Sequence, residues 1–130
     1  MPWIGWPIER ILLVFTGIAF LLIFIQVTLF HYRQNFRHWS MFIPVIATPI
    51  FGILTLTDGF YRMAWLHATL GLLFVVGVAA GGFGSYMHIR GIGQRVGGYH
   101  LQNFLVGPPV ALPAMISAMS LLGLIVLYWG

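Results

Sequence analysis

The chain has 130 residues, of which 60% are hydrophobic and only 6% charged, with a net charge of +4. A soluble domain carries roughly 25% charged residues, so this chain cannot cover itself for water and reads as a single integral membrane domain, 1–130. It has no cysteine and no lysine, which excludes disulfides, thiolate metal sites and Schiff-base chemistry. Positive charge carried by arginine alone on so apolar a chain points to anionic lipid headgroups rather than to nucleic acid.

A helix needs about 20 apolar residues to cross a bilayer core. The segment before Arg10 has no basic stretch of the kind that opens a signal peptide, so the first helix, 9–31, is expected to stay as an anchor. It is followed by a loop, 31–40, that carries His31, Arg33, Arg37 and His38. A second span is expected at 41–57, with Pro44 and Pro49 distorting it, and Asp58 just outside it. Gln26 and Thr28 in the first span, with Thr48 and Thr55 in the second, are expected to hydrogen-bond between helices.

The third span is expected at 63–87 and contains His67, for which Thr69, Thr57 or water are the expected partners. Gly77 and Gly81, followed by Ser85, give that helix a small face for close packing. The loop 88–102 then carries His88, Arg90, Arg95 and His100 among several glycines, and is expected to be a flexible turn. The fourth span is expected at 104–129, or from Pro108 onward, packing on the third through Ala111, Ala114, Ser117 and Ala118. The fold class is therefore an all-α membrane protein with four transmembrane helices in an up-down bundle.

Tryptophan and tyrosine fall at the span ends throughout, as rings that prefer the headgroup level should. The loops 31–40 and 88–102 hold four arginines and no acid, whereas Arg10 and Arg62 on the other side are offset by Glu9 and Asp58. The positive-inside rule then places both loops in the cytoplasm and both termini outside, in the cell (inner) membrane of a multi-pass protein.

Two hairpins share an order of residue types. One reads His31-x-Arg33, Gln34, Arg37, His38, Pro44, Pro49, and the other His88-x-Arg90, Gln94, Arg95, His100, Pro108, Pro113. Two related hairpins would place His31 and His88 at equivalent helix ends, where two imidazoles on different helices are the axial ligands a b-type haem requires. In that reading His38 or His100 are substitutes, Gly81 and Gly84 leave room for a flat macrocycle, and Arg33 and Arg90 neutralise its propionates. The competing reading takes the histidines as interfacial residues and the glycines as a packing face.

No catalytic constellation is available, because Glu9 and Asp58 are the only acids and both are expected at the outer interface. The leading expectation is a non-catalytic anchor or accessory subunit working with another membrane or peripheral protein. The alternatives are a b-type cytochrome-like electron-transfer subunit using haem b and exchanging electrons with quinone, and a small channel or carrier.

Overall fold

In a bilayer core no water can pair with backbone groups, so a long apolar segment is forced to satisfy them internally as a helix. The computed structural model describes residues 2–95 and 97–129, and among these every regular element is helical. The elements are α1 (Ile8–Arg33), α2 (Phe42–Phe60) entered through a 3₁₀ turn (Trp39–Met41), α3 (Ala64–Arg95), α4 (Leu101–Val106) and α5 (Ala111–Leu127). Three helical segments are long and apolar enough to cross a membrane, Ile8–Arg33, Trp39–Phe60 and Ala64–Gln94, and Ala111–Leu127 is a shorter apolar helix.

Glycine brings the helices together in pairs. A Cβ at Gly17 of α1 would lie 2.7 Å from Leu56 Cγ and 3.1 Å from the Gly52 carbonyl of α2. A Cβ at Gly59 would meet Val14 at 2.8 Å, so α1 and α2 run antiparallel with almost no side chain between them at these points. The second pair is α3 and α5, where Gly71 faces Tyr128, Gly77 faces Ser120 and Gly81 faces Ser117 and Pro113. That pair is antiparallel too. The pairs meet through α1 against α5 and α2 against α3, so α1 and α3 stand across the centre from one another.

Phe20, Phe51 and Phe74 fill the middle of the assembly. Phe20 and Phe74 are stacked at 6.2 Å, and Phe51 presents its edge to both, at 5.3 and 6.3 Å. With Leu13, Leu66 and Leu70 they form the buried core. Trp3 and Tyr128, near the two termini in sequence, lie at one end, where the Trp3 indole donates to the Asp58 carbonyl at 2.6 Å and Tyr128 packs on Gly71. His31, His38 and His88 lie at the other.

Several boundaries differ from those read in the sequence. The third helix does not stop at Met87 but continues to Arg95, because Gly91 and Gly93 are held against Pro108 and Tyr99. The chain breaks only at Gly97 and Gly98, whose positive φ values of 87° and 129° suit glycine alone. The second helix runs to Phe60 and so contains Asp58. Leu101–Val106 is a separate short helix, and Pro108 and Pro109 precede α5 rather than lying within it. The equivalent prolines of the two hairpins are thus Pro44 and Pro113, each third in its helix, where the lost N–H would have had no partner.

Two expected contact faces are also corrected. Ala111, Ala114 and Ala118 are exposed, and α5 meets α3 through Pro113, Ser117, Ser120 and Gly123 instead. Thr28 and Thr48 donate to Phe24 and Pro44 within their own helices, and Gln26 is exposed. In hydrocarbon the nearest carbonyl is one turn back on the same helix, and it outcompetes a partner across the interface.

Candidate functional site

At the histidine end the hairpins part and enclose a cavity of about 310 Å³, at the lower end of the ~300–1,000 Å³ usual for ligand sites. Its wall is mostly apolar, with Val27, Phe30, Phe83 and Met87 among the lining side chains, and Phe20 and Phe51 reach it from the core. His31 from α1 and His88 from α3 both line it, so each hairpin contributes one imidazole from a helix on the diagonal.

Local structure fixes His31. The last turn of α1 ends at Gln34, and Asn35 and Phe36 follow with φ of 57° and 47°. A left-handed phenylalanine is uncommon, and here its ring stacks on Phe42 at 4.4 Å, which holds the turn closed. The closed turn delivers the Met41 carbonyl to His31 Nδ1 at 2.8 Å. In the second hairpin His88 Nδ1 meets the Pro109 carbonyl, also at 2.8 Å. A carbonyl only accepts, so both bonds place a ring proton on Nδ1. Metal-ligating histidines are commonly oriented by such a bond from the other ring nitrogen.

The other candidate residues divide. Gly84 lines the cavity, with a Cβ position 3.0 Å from Pro113, whereas Gly81 is buried in the α3–α5 contact and does not line it. His38 lines the mouth and its Nδ1 lies 2.7 Å from the Ser40 hydroxyl. His100 is exposed and absent from the wall. Arg33 and Arg90 are exposed. Each follows its histidine by two residues, which at 3.6 residues per turn rotates it roughly 200° away. Among the described side chains, Arg37 is tied to the wall, donating to the amide oxygen of Gln34, a lining residue, at 2.8 Å.

Comparison with family models, with curated proteins and with solved structures gives no match. The geometry therefore stands alone. Among the described residues no three of His, Cys, Asp and Glu converge as a metal-ion site. Two imidazoles, His31 and His88, line the cavity.

The termini end holds a polar cluster that sequence reasoning missed. Asp58 is fully buried, and its Oδ2 lies 2.6 Å from His67 Nδ1, which replaces the threonines expected as partners. Thr69 and Thr57 bond to their own helix. Arg10 Nε donates to the Gly59 carbonyl at 2.9 Å, closing the cluster from α1. The available signal was the nine-residue separation of an acid and a histidine across a short helix connection.

Proposed function

We propose that this chain is a four-span membrane subunit, with Ala111–Leu127 as its fourth crossing, that holds a b-type haem between its two hairpins and passes electrons for a partner protein. One observation carries the reading. His31 and His88, from opposite hairpins, line the same cavity and make the same Nδ1 bond to a backbone carbonyl. A haem bound there supplies one-electron chemistry. The chain's part is to present two imidazoles oriented by their Nδ1 bonds, to surround the macrocycle with apolar side chains, and to set Arg37 and Gln34 near its carboxylates. In this reading the donor and acceptor are a membrane quinone and a protein subunit.

The anchor expectation is absorbed rather than displaced. The lipid-facing surfaces are apolar, Ile18, Leu22, Ile25 and Leu29 on α1 among them, and such a subunit works in complex with others. The channel reading has less support, since Phe20, Phe51 and Phe74 block the interior between the two ends. The loops with Arg33, Arg37, Arg90 and Arg95 are proposed to face the cytoplasm and its anionic lipid, by the arginine bias.

The test is visible absorption of the purified protein, followed by titration with haemin. The expected result is a Soret band with low-spin bis-imidazole features at one haem per chain. That band is lost in His31→Ala and in His88→Ala. A folded protein that shows no band and takes up no haemin would leave only the anchor.

A further inference from the structure

The termini end contains two buried oxygen atoms that pair with nothing, and they lie one turn apart on α2. Asp58 Oδ1 and Thr55 Oγ1 both belong to side chains with no exposed surface, and neither has a hydrogen-bond partner. Threonine in a helix normally bonds the carbonyl four residues back, as Thr16, Thr28, Thr48, Thr57 and Thr69 all do here. Thr55 does not. A buried polar group without a partner costs about 1–3 kcal/mol, and nature's usual remedy is an internal water with two or more polar partners. Residues three apart on a helix are neighbours, so Asp58 Oδ1 and Thr55 Oγ1 are placed to share one.

The other oxygen of Asp58 is held by His67 Nδ1 at 2.6 Å. The imidazole is 18% exposed and the carboxyl 0%. Because Nδ1 is turned onto a fully buried group, the exposed edge of the ring is the one bearing Nε2. His67 thus stands between the surface and a carboxylate that has no access of its own.

We propose that Asp58, His67 and Thr55 form a proton-exchange site with one bound water. A proton from the medium bonds to His67 Nε2, the Nδ1–H bond breaks, and that proton bonds to Asp58 Oδ2. The imidazole ends neutral as the other tautomer, and the site has gained one proton in total. The neutral carboxyl keeps its Oδ1 on the water shared with Thr55. The reverse order releases the proton. The groups around the pair leave this exchange to His67. Arg10 on α1 is spent on the Gly59 and Gly5 carbonyls, and Glu9 sits beside it in the first turn. Trp3 covers the Asp58 carbonyl, Arg62 lies over the Trp3 ring at 4.8 Å, and among the described residues α5 is followed by Tyr128, against Gly71. The site is independent of the haem reading.

Infrared difference spectroscopy of the whole protein in lipid vesicles tests it, and the chain suits the method because its only acid side chains are Glu9 and Asp58. In a Glu9→Gln background, acidification should raise a protonated-carboxyl C=O band reversibly. The band should vanish in Asp58→Asn, whose amide oxygen still accepts from His67. It should move in Thr55→Val, which removes one partner of the water. A natively helical protein with no pH-dependent carboxyl band overturns the proposal, as does a band that survives Asp58→Asn. An unmoved band in Thr55→Val removes the water, and an unchanged rate of response in His67→Phe removes the relay.

Discussion

His31 and His88 stand in the same relation to the helix that follows each of them: Nδ1 of either ring meets a backbone carbonyl at its entrance, Met41 or Pro109, at 2.8 Å. The intervening loops are unlike, one closed by a left-handed phenylalanine and the other containing α4. Two different connections that end on one bond indicate that the bond, rather than the loop, is what the two hairpins have in common.

Exchanging the histidines separately should rank them. His31→Ala and His88→Ala are each expected to abolish bis-imidazole absorption, whereas His100→Ala should leave stoichiometry and spectrum unchanged, since that side chain is outside the cavity wall. His38→Ala, at the mouth, should alter the rate of haemin uptake and not the final spectrum. Stopped-flow mixing with haemin separates these outcomes, and loss of the spectrum in His38→Ala with retention in His31→Ala would reassign the ligand.

Arg37→Gln should weaken haemin binding more than Arg33→Gln or Arg90→Gln. Arg37 is bonded to a lining residue, Gln34, whereas Arg33 and Arg90 are exposed. Equilibrium titration of the three variants checks this, and equal effects would mean that net charge alone matters.

Gly81→Leu and Gly82→Leu make a matched pair. A Cβ at Gly81 would lie 2.6 Å from the Pro113 carbonyl and the Ser117 nitrogen, while Gly82 has nothing within 4 Å. Overpacking typically costs about 1–3 kcal/mol, so Gly81→Leu should lower the thermal midpoint in detergent and Gly82→Leu should not. Similar melting of both would place the α3–α5 contact elsewhere.

His67→Phe removes the partner of a fully buried carboxylate. Leaving a buried polar group without its partner costs about 1–3 kcal/mol, and more for a charged one, which is the expected loss of stability. The double variant His67→Phe with Asp58→Leu should recover most of it. If the double variant melts as low as the single one, Trp3 and Arg10 rather than the pair hold this end together.

The long helices were legible because their apolar runs exceed a bilayer's thickness and their aromatic rings mark the ends. His31 was legible as a helix-end residue for the same reason, whereas His88, read as the end of the third helix, lies about two turns inside it because α3 runs on to Arg95. What escaped was everything decided by packing between helices. Asp58 reads as a boundary residue by composition, yet His67, nine positions on, accepts it into the last turn of α2. Gly91 and Gly93 read as a loop, but tertiary neighbours Pro108 and Tyr99 take the space that glycine leaves and keep α3 helical. His-x-Arg read as a ligand with its counter-ion, although two residues of helix separate their directions; Arg37, in the turn, is free of that constraint. The contact of α1 and α2 through Gly17, Gly52 and Gly59 was overlooked because those glycines are not spaced as a repeat within one helix.

The cavity is a seam between two hairpins and belongs to neither, which has a consequence for biogenesis. Each hairpin makes its own glycine contacts between helices that are neighbours in the chain. The pocket comes into being only when the second hairpin docks on the first. Any molecule bound there selects the docked form, and by mass action it stabilises that form by RT ln(1 + [L]/Kd). Cells starved of the ligand should accumulate chains that are inserted but undocked, open along α1–α5 and α2–α3, and exposed to membrane proteases. The abundance of the protein would then report on ligand supply without any dedicated sensor.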